Sequence, residues 1–168
     1  MDKTTAIAFL NANSPMPDDD ALSQELIDQY AAAYEFFVST PDPDSIGPLL
    51  NSFGRWGGFG MYQRVEDAFA SFDAEQMRDP LVAAISSPHE SVRYWASQIA
   101  ALFPCDDLVA PLIRNTHDSQ TDICVAAATA LAQIDDPAIV QPIRDLRSRL
   151  THPSDIEALD DILADITP

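Results

Sequence analysis

Positive charge is what this sequence has least of. Lys3 is the only lysine among 168 residues, and with the arginines it makes nine basic side chains against 27 acidic ones, a formal net charge of −18. Such a surface repels a nucleic-acid backbone over most of its extent, so a nucleic-acid ligand is excluded and a cationic partner is favoured. Acidity alone also serves solubility. Cysteine is nearly absent: Cys105 and Cys124 stand apart with no C-x-x-C, as suits buried or half-buried thiols in a reducing compartment. No apolar run approaches the roughly 20 residues of a membrane span. The opening MDKTTAIAFLNANS also lacks the apolar core of a secretory leader. The expectation is a cytoplasmic protein that makes no membrane contact.

Strand patterning is missing as well. Apolar residues almost never alternate with polar ones, yet a hydrophobic content of 46% is too high for a disordered acidic chain. A chain of this length buries about 70% of its unfolded surface, enough for one globular domain with no disulfide, metal or cofactor as a staple. What is present is helical spacing. Val92, Ala96, Ile99 and Phe103 fall on one stripe. Ser87-Pro88, Asp79-Pro80, Asp42-Pro43 and Asp136-Pro137 each offer an oxygen-bearing cap followed by a residue whose missing N–H costs nothing at a helix start. The spacing predicts helices near 4–12, 18–39, 43–53, 60–72, 74–86, 88–103, 107–116, 119–134, 137–150 and 154–166.

These helices repeat. Met61-Val65-Ala68-Phe69-Phe72 lies over Val92-Ala96-Ile99-Ala100-Phe103 and then over Ile123-Ala127-Ala130-Leu131-Ile134, each step 31 residues without a gap. A shift of 32 continues the pattern to Asp155-Leu159-Ile162-Leu163-Ile166. Pro111 falls over Pro142, with Pro48 two periods upstream. A repeated helix pair cannot bury its stripe alone, so pairs stack into a short solenoid in which 61–72, 92–103 and 123–134 should be parallel neighbours. The segment HESVRYWASQIAALF, residues 89–103, together with the first-helix prolines and the tandem register, resembles the short bacterial form of the HEAT-repeat family. The likeness covers about 43–166. The period is shorter than that of long HEAT repeats, and the Val-Arg pair survives only at Val92-Arg93, the equivalents being Met61-Tyr62 and Ile123-Cys124. The expected fold is all-α: an α-solenoid of about four stacked helix pairs over 43–168, with two N-terminal capping helices in 1–42.

Four of the five glycines crowd into FGRWGGFG, residues 53–60. The register places them between the two helices of the first pair, in a turn. The segment has neither the strand before it nor the Gly-Lys-Ser/Thr ending of a phosphate loop. It also lacks the spacing and βαβ setting of a dinucleotide site. Arg55, Trp56 and Phe59 remain unusual there, and two readings stand: Trp56 folds back to plug the end of the first pair, or the loop contacts a partner. Catalytic signals are weak. His89, His117 and His152 share no metal-ligand spacing; His117 with Asp118 and Asp122 could cluster, but helix-capping aspartates beside a turn explain them better. Asp106-Asp107 and Asp135-Asp136 precede helices and suit their dipoles. No nucleophile and base can be paired, and the expectation is a chain that is not an enzyme.

The register also predicts a surface. If second helices line the concave side, the exposed ridge runs Gln63, Glu66, Asp67, then Tyr94, Ser97, Gln98, then Val125, Ala128, Thr129, then Glu157, Asp160, Asp161. This groove is acidic at both ends. Arg64 and Arg93 at its edges should pair with acids of neighbouring elements. The expected activity is binding of a basic protein, by a chain that is a monomer when free. Among bacterial proteins of this kind, the resemblance implies an immunity protein that occludes a cognate toxin. It also leaves open a HEAT-like enzyme of the chromophore-lyase or alkylbase-glycosylase kind, the latter at odds with an acidic groove, and an assembly scaffold or DNA-mimicking inhibitor.

Overall fold

The computed structural model describes residues 1–167, and every regular element among them is helical. Helices α1 (Lys3–Ala12) and α2 (Gln24–Ser39) come first. Each starts at an oxygen-bearing cap: the Asp2 carboxylate accepts the Thr5 N–H at 2.8 Å, and Ser23 Oγ accepts the Leu26 N–H at 3.2 Å. Because Ser23 starts α2 afresh, the helix expected over 18–39 begins only at Gln24, after a 3₁₀ turn at Asp19–Ala21. Three short helices follow: α3 (Ile46–Asn51), α4 (Met61–Arg64) and α5 (Glu66–Phe69). The remainder is regular: α6 (Ala74–Ile85) with α7 (Glu90–Ala100), α8 (Val109–Asn115) with α9 (Thr121–Leu131), and α10 (Val140–Arg149) with α11 (Pro153–Ile166).

Each of these last three pairs packs on itself, α7 lies along α9, and α9 touches α11. The seam between second helices is built from small side chains. Ala96, Ala100, Ala127 and Ala130 are buried, in one core with Leu81, Ile99, Leu112, Leu131, Ile143 and Leu159. Each such side chain contributes roughly 1.5–3 kcal/mol by leaving water. Polar stitches join successive first helices and brace the turn between α6 and α7. The Asn115 amide donates to the Ile85 carbonyl at 3.0 Å, Arg149 donates to the Thr116 carbonyl at 2.8 Å, and Arg93 donates to the Ser87 carbonyl at 2.9 Å. These bonds satisfy carbonyls at or just past helix ends that have no intrahelical partner.

The Asp79-Pro80 pair does not start a helix. Asp73 starts α6 instead, with a reciprocal cap in which Asp73 Oδ1 accepts the Gln76 N–H at 2.9 Å and Gln76 Oε1 accepts the Asp73 N–H at 3.1 Å. Pro80 then falls inside the helix, 31 residues before Pro111, so the first helices share a proline slot at 48, 80, 111 and 142. In α3, α8 and α10 that slot is the third residue, where the missing N–H is an orphan anyway. Pro88 likewise lies before its helix: α7 starts at Glu90, after an extended His89.

The first pair departs from the regular stack. Its second helix is interrupted at Val65, whose N–H bonds the Tyr62 carbonyl and whose own carbonyl receives the Ala68 N–H, both 3₁₀-type steps. The following α5 packs on α2, and α7 meets α3. The 61–72 segment is therefore not a straight parallel neighbour of α7. Aromatic rings fill this end: Tyr62 meets Tyr30, Phe53 and Trp95 edge-on with centroids 5.7, 5.5 and 5.7 Å away, and Phe53 stacks on Trp95 at 5.4 Å.

Candidate protein-binding surface

Two of the glycines between α3 and α4, Gly54 and Gly58, are explained by Tyr62. A Cβ on Gly54 would stand 2.6 Å from the Tyr62 hydroxyl, and one on Gly58 would stand 2.8 Å from its ring, so the backbone closes on the phenol as no larger residue could. Burial pushes the Tyr62 phenol up to about 12. The loop is pinned by backbone bonds. The Gly58 N–H donates to the Asp19 carboxylate at 3.0 Å, Trp95 Nε1 donates to the Trp56 carbonyl at 3.3 Å, and the Gly60 N–H donates to the Gly57 carbonyl at 2.9 Å.

These anchors hold Trp56 and Phe59 at positive φ, 70° and 53°, a conformation that costs a residue with a Cβ on the order of 1–2 kcal/mol. Their side chains stay out of the core, 64% and 69% exposed. The plug reading of Trp56 is thus corrected, because Phe53, Tyr62 and Trp95 already occupy the space it would fill. The Arg55 guanidinium lies over the Trp56 ring, 5.0 Å from its centroid.

A cleft of about 750 Å³ opens beside the loop. It is lined by Arg55, Trp56 and Gln63, by Tyr94 and Trp95 of α7, by Glu90 and Asp122 in the first turns of α7 and α9, and by Pro15 and Asp18 from the N-terminal segment. Composition and spacing did not point to Trp95, Glu90 or Asp18, and Asp122 was singled out only beside His117 and Asp118. One signal was available for Trp95. Its register partner one period on is Ala126, so a ring at that slot has to face something the other repeats lack.

The ridge of second helices emerges with Ser97 and Ala128 corrected. Gln63, Asp67, Glu157 and Asp161 are exposed, and Tyr94 and Gln98 are half-buried, with Gln98 Nε2 donating to the Tyr94 hydroxyl at 3.3 Å. The slot shared by Glu66, Ser97, Ala128 and Asp160 turns towards the first-helix layer. Glu66 is half-buried, Ser97 and Ala128 are wholly buried, and Ser97 Oγ accepts from Asn115 at 3.4 Å. Asp160 is exposed. Arg147 binds it through two bonds of 2.8 Å, holding its carboxyl below the usual range. The open ridge in fact runs through Ser91, Tyr94, Gln98 and Leu102, then through Asp122, Val125, Thr129 and Gln133.

The basic residues at the edges are engaged within the fold. Arg93 Nε meets the Asp118 carboxylate of the next pair at 2.8 Å, and Arg64 lies 3.7 Å from Glu35 and over the Tyr34 ring. Burial raises the Asp118 pKa, but the Gln120 N–H and the Arg93 guanidinium outweigh it and leave the carboxyl below its ordinary value. Asp118 therefore braces the turn before α9 and staples it to α7, and makes no bond to His117. No group of three or more His, Cys, Asp or Glu side chains among the described residues is placed to hold a metal.

The family model for HEAT repeats matches residues 78–164, just over half of the chain. The chain belongs to the HEAT-repeat family. A comparison with curated proteins found no match. HEAT repeats are generally non-catalytic scaffolds that mediate protein–protein contacts, and a helical-repeat interaction module is what this HEAT chain is. The matched span begins within α6, so the glycine loop and the aromatic residues Tyr30, Phe53 and Tyr62 lie outside it, while Trp95 lies within it. No helix among the described residues is long and apolar enough to cross a membrane.

Proposed function

We propose that this HEAT-repeat chain is a non-catalytic module that binds a basic protein through the face formed by its second helices, and that it serves as an immunity protein occluding a cognate bacterial toxin in the cytoplasm. One observation carries the reading. Asp67, Glu157 and Asp161 are exposed on that face and enter no ion pair among the described residues, whereas Asp118 and Asp160 are engaged with Arg93 and Arg147. Unpaired carboxylates on a chain of net charge −18 steer a cationic partner and raise its association rate. In this reading 1–42 cap one end of a single domain, 43–168 supply the repeats, and neither metal nor cofactor takes part.

The test is co-purification of tagged protein from its native host, with wild type beside a variant carrying Asp67→Lys, Glu157→Lys and Asp161→Lys. The wild type should retain a basic protein whose association slows as salt rises, since exposed charges are screened beyond about 10 Å at 0.1 M. The reversed variant should lose that protein while melting at the same temperature. Retention of the same partner after reversal would sink the reading. A toxin domain encoded beside this gene would support the immunity role, and a phycobiliprotein operon there would favour the lyase alternative.

A further inference from the structure

We propose that the cleft beside the glycine loop receives an arginine side chain of the basic partner, an inference that rests on the second-helix face being the binding face. Three features of the cleft select that occupant. Trp56 lines it and is 64% exposed, and its face already carries a guanidinium, that of Arg55 at 5.0 Å. Tyr94 and Trp95 supply further aromatic lining. An indole face attracts a cation, and a planar guanidinium adds stacking that a lysine ammonium does not.

Charge makes the choice of sign. Asp18, Glu90 and Asp122 line the cleft and enter no ion pair among the described residues, against Arg55 as the one arginine in the lining. Glu90 has only a 3.5 Å contact from the Gln120 amide. Glu90 and Asp122 also complement the dipoles of α7 and α9, which accounts for carboxylates at those helix starts but not for Asp18 or for an exposed tryptophan facing them. The loop is prepared for the contact: Trp56 is held at φ 70° by the Trp95 indole bond to its carbonyl, so little ordering remains to be done on binding.

The protein reports on this site by itself, because Trp56 and Trp95 are its only two tryptophans and both line the cleft. Intrinsic fluorescence is therefore titrated with the peptide acetyl-Gly-Arg-Gly-amide and with its citrulline counterpart, which keeps the shape and loses the charge. The arginine peptide should give a saturating change, and the citrulline peptide none. Glu90→Gln with Asp122→Asn should weaken the arginine peptide about tenfold, and Asp18→Asn, outside any helix, should weaken it in the same direction if the helix-start variant folds poorly by circular dichroism. Equal responses to the two peptides, no saturation in the wild type, or an affinity indifferent to all three carboxylates would overturn the proposal. A flat titration alongside charge-dependent capture of a partner removes the cleft and leaves the binding face standing. Saturation without any captured partner supports the cleft and removes the partner reading.

Discussion

The two ends of the molecule solve the same packing problem with different side chains. From α6 onward, helices pair and stack through alanines and aliphatic residues buried at equivalent slots: Ala96 and Ala127, Ile99 and Ala130, Ala100 and Leu131. Before α6 the same register persists in sequence, but the space is filled by Tyr30, Phe53, Tyr62 and Trp95, the second helix is interrupted at Val65, and glycines wrap the phenol. Small residues let helices run close and straight. Rings need room, and the backbone yields to them. The regular part is thus a scaffold, while the irregular end places large apolar side chains in the open at Trp56 and Phe59.

If the aromatic end is structural as well as functional, Phe53→Ala should be the most damaging single change, about 3–5 kcal/mol from lost burial and the cavity left beside Tyr62 and Trp95. Chemical denaturation followed by far-UV circular dichroism measures it, and a loss below 1 kcal/mol would separate the aromatic end from the stack. The complementary change in the regular part is Ala127→Leu. It should overpack the seam between α7 and α9 and cost about 1–3 kcal/mol, and an unchanged melting temperature would mean that the seam has space the account denies it.

How much of this contrast was legible in the sequence follows from what a repeat register can carry. The 31-residue step identified equivalent positions, and so the helix pairs, the alanine seam and the ridge at 63, 67, 94, 98, 157 and 161. It could not say that the slot of Ser97 and Ala128 faces the first-helix layer, because equivalence between repeats does not fix which side a neighbouring layer covers. Pro80 was misassigned for a local reason: Asp79-Pro80 has the chemistry of a helix start, and only the reciprocal cap at Asp73 and Gln76 overrules it. The exposure of Trp56 depends on which other rings take the interior. That choice is made by contacts more than thirty residues apart, such as Trp95 on Phe53.

A smaller effect tests the polar stitching between repeats. Asp118→Asn should cost about 1–2 kcal/mol near neutral pH, through the half-buried charge partnership with Arg93, while the variant's amide oxygen can still accept the Gln120 N–H. The sign of its pH dependence is fixed by the lowered pKa of Asp118 in the folded protein. Below the ordinary carboxylate value the unfolded chain takes up the proton first, so the stabilisation present above about pH 4 is lost as pH falls through the folded value. The melting-temperature gap between wild type and variant should close at acid pH, and a constant gap would mean that the carboxylate charge is not responsible. The least change, and of opposite sign, is expected at Gly47 in α3, where a Cβ meets nothing within 4 Å. Gly47→Ala should stabilise by about 0.5 kcal/mol, read as a small rise in melting temperature. A fall would show that α3 is more tightly enclosed than its neighbours indicate.

The central claim is that partner binding uses the second-helix face and the loop at its aromatic end. Amide hydrogen exchange of the protein alone and with its captured basic partner tests this most directly. The account predicts new protection at residues 55–63, in the first turns of α7 and α9, and along α11 near Glu157 and Asp161, with α6, α8 and α10 unchanged. Protection confined to α6, α8 and α10 would contradict it.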